Sequence, residues 1–493
     1  MVSFIGKFFL HRFINILPKL SDKNLIKLVK FAGRFAPDTH KKMIAGVEKS
    51  IKDQTPVVLF IKRLLMDANS KCKKKILDNL ILKGFLENQE IRNEHNLSDR
   101  PDNFVPIVVL ISPTMRCNLR CKGCYAGKYG KEDDLPYEVF DRVVSEGEQL
   151  GTAFFIILGG EPFLYKDLIK IAKKHKHAYF QVYTNSTMLN EQMVKKLAKV
   201  GNILPILSLE GYEDLTDDRR GKGIYKKVME TMDRLKRHGV PFGYSCTVTK
   251  MNAELIMSDP FVDFLIAKGG YIGWYFLAMP VGANPDMSLM PTPEQRLAMV
   301  ERAEHLRATR PFFFIDFWND APYVGGCIAG KHYCHITSQG DVEPCIFTHF
   351  AMDNIKEKSL LECFNSKYFQ KLRSLQPYCE NHFLPCMWID HPHISRSVHK
   401  DLPVHPTHKG ADEVIQNPEL MAEIDEYAEH VGSIYDEAWE KWKSTKELSP
   451  TLRKLNHLDE NGKKITQANS SEEESSEKSE VPKVEKDVSV SAN

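Results

Sequence analysis

Cys117-Asn118-Leu119-Arg120-Cys121-Lys122-Gly123-Cys124 carries three thiols at the spacing C-x3-C-x2-C, directly after the apolar run 107–113. Three thiolates on one short loop can hold three irons of a [4Fe–4S] cluster and leave the fourth iron open to another molecule. Zinc could use the same thiols, but structural zinc wants four ligands, commonly in CxxC pairs. Three core cysteines at this spacing are the plain alternative.

Apolar runs recur after this loop, at 153–158, 179–183, 203–209, 242–248 and 271–279. With 107–111 they make six, and helix-like segments fall near 137–150, 166–176, 190–200, 223–239, 254–268 and 293–309. Strands alternating with helices imply βαβ units on a parallel sheet. Six units predict an α/β fold, a partial (β/α)6 TIM-like barrel over 104–310; a doubly wound sheet fits the same alternation.

The barrel is expected to be flanked. Residues 1–103 read as a helical, basic amphipathic region. Ile5, Phe9, Phe13 and Leu17 fall at i+4 spacing, and Pro18 ends the first helix. Lys7, Arg12, Lys19, Lys23, Lys27, Lys30 and Arg34 face one acid, Asp22, over 1–34. Such a start suits an anionic membrane surface, while Arg12 inside the apolar arc suits a helical cap on the main domain. Residues 311–410 are rich in Cys, His, Pro and aromatics and read as a small Cys-rich module. Residues 411–466 read as a helical extension carrying Tyr427, Tyr435, Trp439 and Trp442. Residues 467–493, with SSEEESSEKSE, lack the apolar side chains for a core and read as a disordered tail.

Composition sets the limits. A chain of 493 residues fits about three domains. With 67 Lys and Arg against 65 Asp and Glu, the net charge of +2 gives no global field for nucleic acid. No loop interleaves basic and aromatic residues as a nucleic-acid channel would. No stretch of 18 apolar residues is present, and Lys7, His11 and Arg12 interrupt any signal-peptide core, so neither a transmembrane helix nor a secretory signal is expected. An odd count of 11 cysteines argues against a disulfide framework and for a reducing cytoplasm. Their two zones, 117–124 and 327–386, point to metal binding. Cys72 and Cys246 read as small buried hydrophobes. The histidines at 382, 391, 393, 399, 405 and 408 read as loop residues around the second zone, although His391-Pro392-His393 could bind a metal.

The cysteine loop resembles the signature of the radical SAM superfamily, and further segments appear in that family's order. Gly159-Gly160-Glu161-Pro162 resembles the segment whose backbone meets the amino group of S-adenosylmethionine. Thr184-Asn185-Ser186-Thr187 is similar to a TNG-type strand end, and Ser208-Leu209-Glu210-Gly211 to S-x-D/E-G, with Ser208 and Glu210 near the ribose. Arg220 resembles an arginine that reaches the cofactor carboxylate, and Asn252 is a further, weaker match. Gly123 stands where relatives often carry an aromatic residue, with Tyr125 just after the loop as its substitute near the adenine. These positions would sit at the C-terminal ends of strands, where barrel sites assemble.

Cys327, Gly340 and Cys345 follow C-x12-G-x4-C and resemble the opening of SPASM and Twitch auxiliary-cluster modules; Cys379 and Cys386 come next. The resemblance implies one auxiliary [4Fe–4S] cluster on Cys327, Cys345, Cys379 and Cys386, with Cys334 near enough to compete with Cys327 and Cys363 expected in the core. It also implies reductive cleavage of S-adenosylmethionine to a 5′-deoxyadenosyl radical, hydrogen abstraction from a substrate C–H bond, and a flavodoxin- or ferredoxin-type reductant. The basic start favours a membrane lipid as substrate and a place at the inner face of the cell membrane. A peptide is the rival substrate, and an iron–sulfur electron carrier is the rival of another class. No residue is singled out as the catalytic group that handles the substrate.

Overall fold

The computed structural model describes residues 20–33, 41–96, 102–126, 134–282 and 285–445. The expected first helix therefore lies mostly outside the described residues, as does the expected tail at 467–493.

Seven strands run parallel, each paired with the next: β1 Val108–Ile111, β2 Phe154–Ile157, β3 Tyr179–Thr184, β4 Ile203–Ser208, β5 Phe242–Val248, β6 Gly270–Leu277 and β7 Phe313–Asp316. The intervening helices include Tyr137–Gln149, Leu168–Lys174, Glu191–Val200, Ile224–Arg237, Asp259–Lys268 and Pro293–Thr309. Their boundaries follow from local chemistry. Asn190 accepts the Met193 N–H at one end of Glu191–Val200, and Gly201 ends that helix at φ +77°. Thr292 and Gln295 form a reciprocal cap around Pro293. Val194, Leu197, Val228, Met232 and Leu235 on these helices are buried with Phe155, Ile157, Phe180 and Val182 of the sheet in one core.

The other face of the sheet lines an open lumen. On β6, Gly273, Tyr275 and Leu277 are buried, whereas Ile272, Trp274 and Phe276 are only half buried. Period-two alternation thus turns Trp274 and Phe276 into the lumen.

Two features differ from the six-strand expectation. β7 extends the parallel sheet past residue 310. At the opposite edge, β8 Tyr333–Ile336 pairs parallel with β1, Cys334 opposite Val109, and β9 Asp341–Glu343 and β10 Asp353–Asn354 continue the same sheet antiparallel. The Cys-rich segment is thus built onto the barrel sheet. Buried polar contacts reinforce the join: Ser112 Oγ lies 2.6 Å from His335 Nε2, and His335 Nδ1 lies 2.6 Å from Glu343.

Among the described residues of 20–96 every element is helical: Asp22–Gly33, Lys41–Lys52, Pro56–Asp67, Ser70–Lys75 running on through Ile76–Glu87, and Asn88–Asn96. Asn69 fastens this region to the barrel, its N–H donating to Gly239 O at 2.8 Å. The long helix Pro418–Thr445 closes the C-terminal side, burying Val431, Tyr435, Trp439 and Trp442 with Phe383 and Leu384. Among the described residues no helix is long and apolar enough to cross a membrane.

Two histidines of the C-terminal segment, His391 and His399, are held by neighbouring groups. His399 is packed on Phe350 and Trp388 and meets the Tyr368 hydroxyl at 2.9 Å; His391 Nε2 lies 2.9 Å from Leu384 O. Burial depresses His332 to about 4, His349 to about 3 and His399 to about 4. The fold therefore holds them neutral, while the unfolded chain takes up their protons below about 6.5. Stability falls as pH drops from about 6.5 towards 4, by about 1.4 kcal/mol per pH unit for each histidine. Urea melts at pH 7 and pH 5 check this. An unfolding midpoint that is the same or higher at pH 5 would contradict it.

Candidate active site

The three thiols of 117–124 lie on the loop beyond the C-terminal end of β1, with Cys117 and Cys121 half buried and Cys124 exposed. Neighbouring strand ends close on this loop. Gly159 has φ +114°, and a Cβ there would lie 2.4 Å from Thr114 O; one on Gly160 would lie 2.3 Å from Arg116 O. No side chain fits between the end of β2 and the stem of the loop. The Gly160 and Glu161 N–H groups donate to Thr114 O and Arg116 O at 3.0 and 2.8 Å. Gly123 has φ +58°, a left-handed backbone that favours glycine, and a Cβ there would lie 2.4 Å from the end of the Leu289 side chain, which would have to move.

Glu161 is fully buried, and burial pushes its carboxyl up to about 7. Its oxygens accept from Phe163 N, Thr184 Oγ1 and Asn185 N at 3.1, 2.8 and 2.8 Å. The side chain thus braces the end of β2 against the end of β3, and Pro162 starts the short turn Pro162–Leu164. Asn185 reaches the loop, its amide 2.9 Å from Asn118 Oδ1 and 3.8 Å from Cys117 Sγ.

On the other side stands a charge cluster. Glu210, buried beyond β4, receives Arg219 at 2.7 Å, Arg220 Nε at 2.8 Å and the Thr247 N–H at 3.1 Å. Arg219 also donates to Gly123 O at 3.1 Å and accepts the Lys122 N–H at 2.9 Å on its carbonyl. Burial raises the Cys121 thiol, and the nearby Arg220 and Arg219 oppose that rise. Ser208 is half buried at the end of β4, opposite Ser245. Asn252 is buried and donates to Glu210 O and Thr247 O, both at 3.0 Å.

The structure thus brings Gly159, Gly160, Glu161, Pro162 and Asn185 on one side, and Glu210 and Arg220 on the other, beside the loop of Cys117, Cys121, Cys124 and Tyr125, while Ser208 stands at the end of β4. Sequence reasoning gave no role to Asn118, whose amide donates to the Thr187 hydroxyl at 2.8 Å, or to Arg219. Arg219 stands beside Arg220 in RRGKG, and nothing local separates their roles. Three soft thiols beside an amide donor and two guanidinium groups are a donor set that fits an anionic iron–sulfur cluster.

A chain of aromatic contacts leads away from this loop. Tyr125 meets Phe347 edge-on at 5.8 Å, Phe347 meets Trp318 at 5.5 Å, Trp318 meets Phe317 at 5.3 Å and Phe317 meets Phe276 at 5.2 Å. It borders a cavity of about 550 Å³ walled by Trp274, Phe314, Phe317, Trp318, Phe347 and Trp388, with Cys327, Cys345 and Cys386 on its border. The volume falls within the roughly 300–1,000 Å³ of small-molecule sites. The charged residues on its border, Arg307 and Asp320, are paired with each other at 2.6 Å. Cys334 and Cys363 are fully buried, and neither borders the cavity.

The radical SAM superfamily matches residues 111–254, and the iron–sulfur cluster-binding SPASM domain matches residues 327–386. The chain therefore carries a radical SAM domain followed by a SPASM domain. Its cofactors are a [4Fe–4S] cluster with S-adenosylmethionine and auxiliary iron–sulfur. AdoMet-dependent heme synthase of Methanosarcina barkeri is 26% identical over 300 residues, covering 54% of this chain and 85% of that protein. Sporulation killing factor maturation protein SkfB of Bacillus subtilis is 25% identical over 303 residues, covering 59% and 72%. Among solved structures, Streptococcus suis SuiB bound to precursor peptide SuiA aligns at 20% identity and a TM-score of 0.49, covering 65% of this chain and 83% of that one.

Proposed function

We propose that this enzyme removes hydrogen from a carbon–hydrogen bond of an apolar, lipid-class molecule at a membrane surface. The observation that carries the proposal is the aromatic cavity between β6, β7 and the cysteines of the SPASM domain. A flexible polar or charged substrate would lose its hydration there and find few partners.

In this reading Cys117, Cys121 and Cys124 hold the first cluster. Gly159, Gly160, Glu161, Pro162, Asn185, Ser208, Glu210, Arg220 and Tyr125 surround S-adenosylmethionine. Bound there, cluster and cofactor supply the radical chemistry that takes hydrogen from carbon, with electrons from a flavodoxin- or ferredoxin-type protein. The glycines let the β2 end approach the loop. Glu161 fixes the ends of β2 and β3 relative to each other. Glu210 holds two guanidinium groups beside the thiols. Tyr125 joins the loop to the aromatic wall.

Membrane contact is supported by the helix Pro56–Asp67, none of whose residues is buried. Val57, Ile61 and Met66 are 64%, 48% and 60% exposed, apolar side chains that a membrane surface would cover. Sedimentation with anionic vesicles tests this. The full chain is expected to pellet, and deletion of residues 1–20 together with Val57→Ser, Ile61→Ser and Met66→Ser is expected to weaken binding at least tenfold, about 1.4 kcal/mol. Equal pelleting of both proteins would contradict it.

The second reading is a peptide substrate, favoured by the likeness to SkfB, which is named as a maturation protein. Its distinguishing result is 5′-deoxyadenosine formation stimulated by a peptide and indifferent to lipid.

A further inference from the structure

The aromatic cavity has a floor and a rim. Trp318, Phe347, Met387 and Trp388 on its border are buried, whereas Phe313 and Val324 are 56% and 39% exposed. Phe347 meets Tyr125 edge-on, so the floor lies towards the cysteine loop. The rim lies along β7 and the turn that follows it. Between rim and floor, Ile315 and its β6 neighbour Trp274 continue the apolar wall.

Among the described residues on this border, Arg307 is the cation and Asp320 the anion. Their side chains keep 29% and 23% of their surface exposed, which places them at the rim and not on the floor. Arg307 is held on several sides. Its Nε and Nη2 both donate to Phe314 O at 3.1 Å, and Nη2 donates to the two carboxylate oxygens of Asp320 at 2.6 and 2.7 Å. The guanidinium carbon lies 5.7 Å from the centre of the Phe314 ring and 5.9 Å from that of Tyr323, within the range of cation–π attraction. Asp320 is fixed in turn, accepting the Asp316 N–H at 3.0 Å. These bonds leave Nη1 without a partner among the described residues and within reach of solvent. A guanidinium has five N–H donors, and two of them sit on Nη1. A planar charged donor fixed in this way loses little freedom when it meets an anion. One such polar group beside an apolar cavity is the usual device for orienting a ligand.

We infer that Arg307 anchors the anionic head group, a carboxylate or a phosphate, of a molecule whose apolar chain fills the cavity. The inference rests on the lipid-class reading and narrows it to an anionic amphiphile. An oxygen of the head accepts from Nη1 at the rim, and the chain runs past Trp274 and Phe317 towards Phe347 and Tyr125. The head is thereby kept away from the cysteine loop. The carbon presented to that loop lies along the chain and not next to the head. Asp320 orients the guanidinium but repels the incoming anion, so its carboxylate limits the affinity. A neutral lipid of the same length meets the same walls and no anchor.

The test is equilibrium dialysis of the reconstituted full chain against radiolabelled dodecanoate, dodecyl phosphate and 1-dodecanol, each below the concentration at which it aggregates. At least one of the two anions is expected to bind about tenfold more tightly than the alcohol, the scale of one hydrogen bond between charged groups. The anion that does so identifies the head. R307M is expected to bring that anion down to the level of the alcohol, whose own binding it leaves in place, and R307K to keep part of the preference. D320N is expected to bind the anion more tightly than the parent does and the alcohol equally, a gain that a merely structural ion pair would not give. Circular dichroism checks the fold of each variant, and should R307M fail to fold, D320N decides. Equal binding of the anions and the alcohol by the parent, or a D320N that binds the anion no more tightly, overturns the inference and leaves the lipid reading standing. Binding of none of the three probes overturns both.

Discussion

Replacing Cys117, Cys121 and Cys124 together with alanine is expected to abolish 5′-deoxyadenosine formation and to lower bound iron from about eight to about four atoms per chain. These thiols have no substitute nearby. The other cysteines lie on other elements, Cys246 within β5 and the rest before residue 73 or after residue 326. The surrounding bonds, from Asn185, Arg219 and the glycine-led end of β2, come mainly from backbone and neighbouring side chains and survive the substitution. The variant should therefore fold as the parent does. Circular dichroism and iron analysis check that, and mass spectrometry of the nucleoside reads the activity. Undiminished nucleoside from the variant would contradict the role given to this loop.

The second large effect is on stability. Arg296 and Asp390 are both fully buried and joined by two hydrogen bonds of 2.6 and 3.1 Å. Asp390 also accepts the Cys386 N–H at 2.9 Å. The pair thus ties the helix Pro293–Thr309 to a cysteine on the cavity. Arg296→Met leaves an uncompensated carboxylate in the interior and is expected to cost about 3–5 kcal/mol. Auxiliary iron should fall with it, because the segment around Cys386 loses its anchor. Arg296→Met combined with Asp390→Leu removes both charges and is expected to recover most of that loss. Urea midpoints of the two variants give the answer. A single variant as stable as the parent, or a double variant no better than the single, would contradict the assignment.

Much of this architecture is legible along the chain because it is local. Six apolar runs separated by amphipathic helices predict the strands from β1 to β6 to within two residues at nearly every end. The caps at Asn190 and Thr292 obey rules that a sequence displays. β7 escapes because it follows a 17-residue helix in a phenylalanine-rich stretch without alternation, outside the six-unit pattern. The parallel pairing of β8 with β1 escapes for a different reason. More than 200 residues separate Val109 from Cys334, and periodicity carries no register over such a span. At the site, the strand-end motifs show which residues gather but not what each side chain does. Glu161 is visible in GGEP, yet its bonds to the end of β3 appear only when β2 and β3 lie side by side. Glu210 and Arg220 are both visible, whereas Arg219 and its contact with Gly123 are not. The packing of Cys379 against the cluster of Phe383, Val431, Tyr435, Trp439 and Trp442 likewise depends on where the helix Pro418–Thr445 lies.

The most direct test follows hydrogen from substrate to cofactor. The reconstituted enzyme is given S-adenosylmethionine, reductant and vesicles made from the total lipid of source cells grown in deuterium oxide, and the 5′-deoxyadenosine is weighed by mass spectrometry. The expected result is nucleoside carrying deuterium, absent when the lipid is unlabelled. Unlabelled nucleoside from deuterated lipid, with deuterium arriving instead from the deuterated peptide fraction of the same cells, would contradict the lipid proposal and establish the peptide reading.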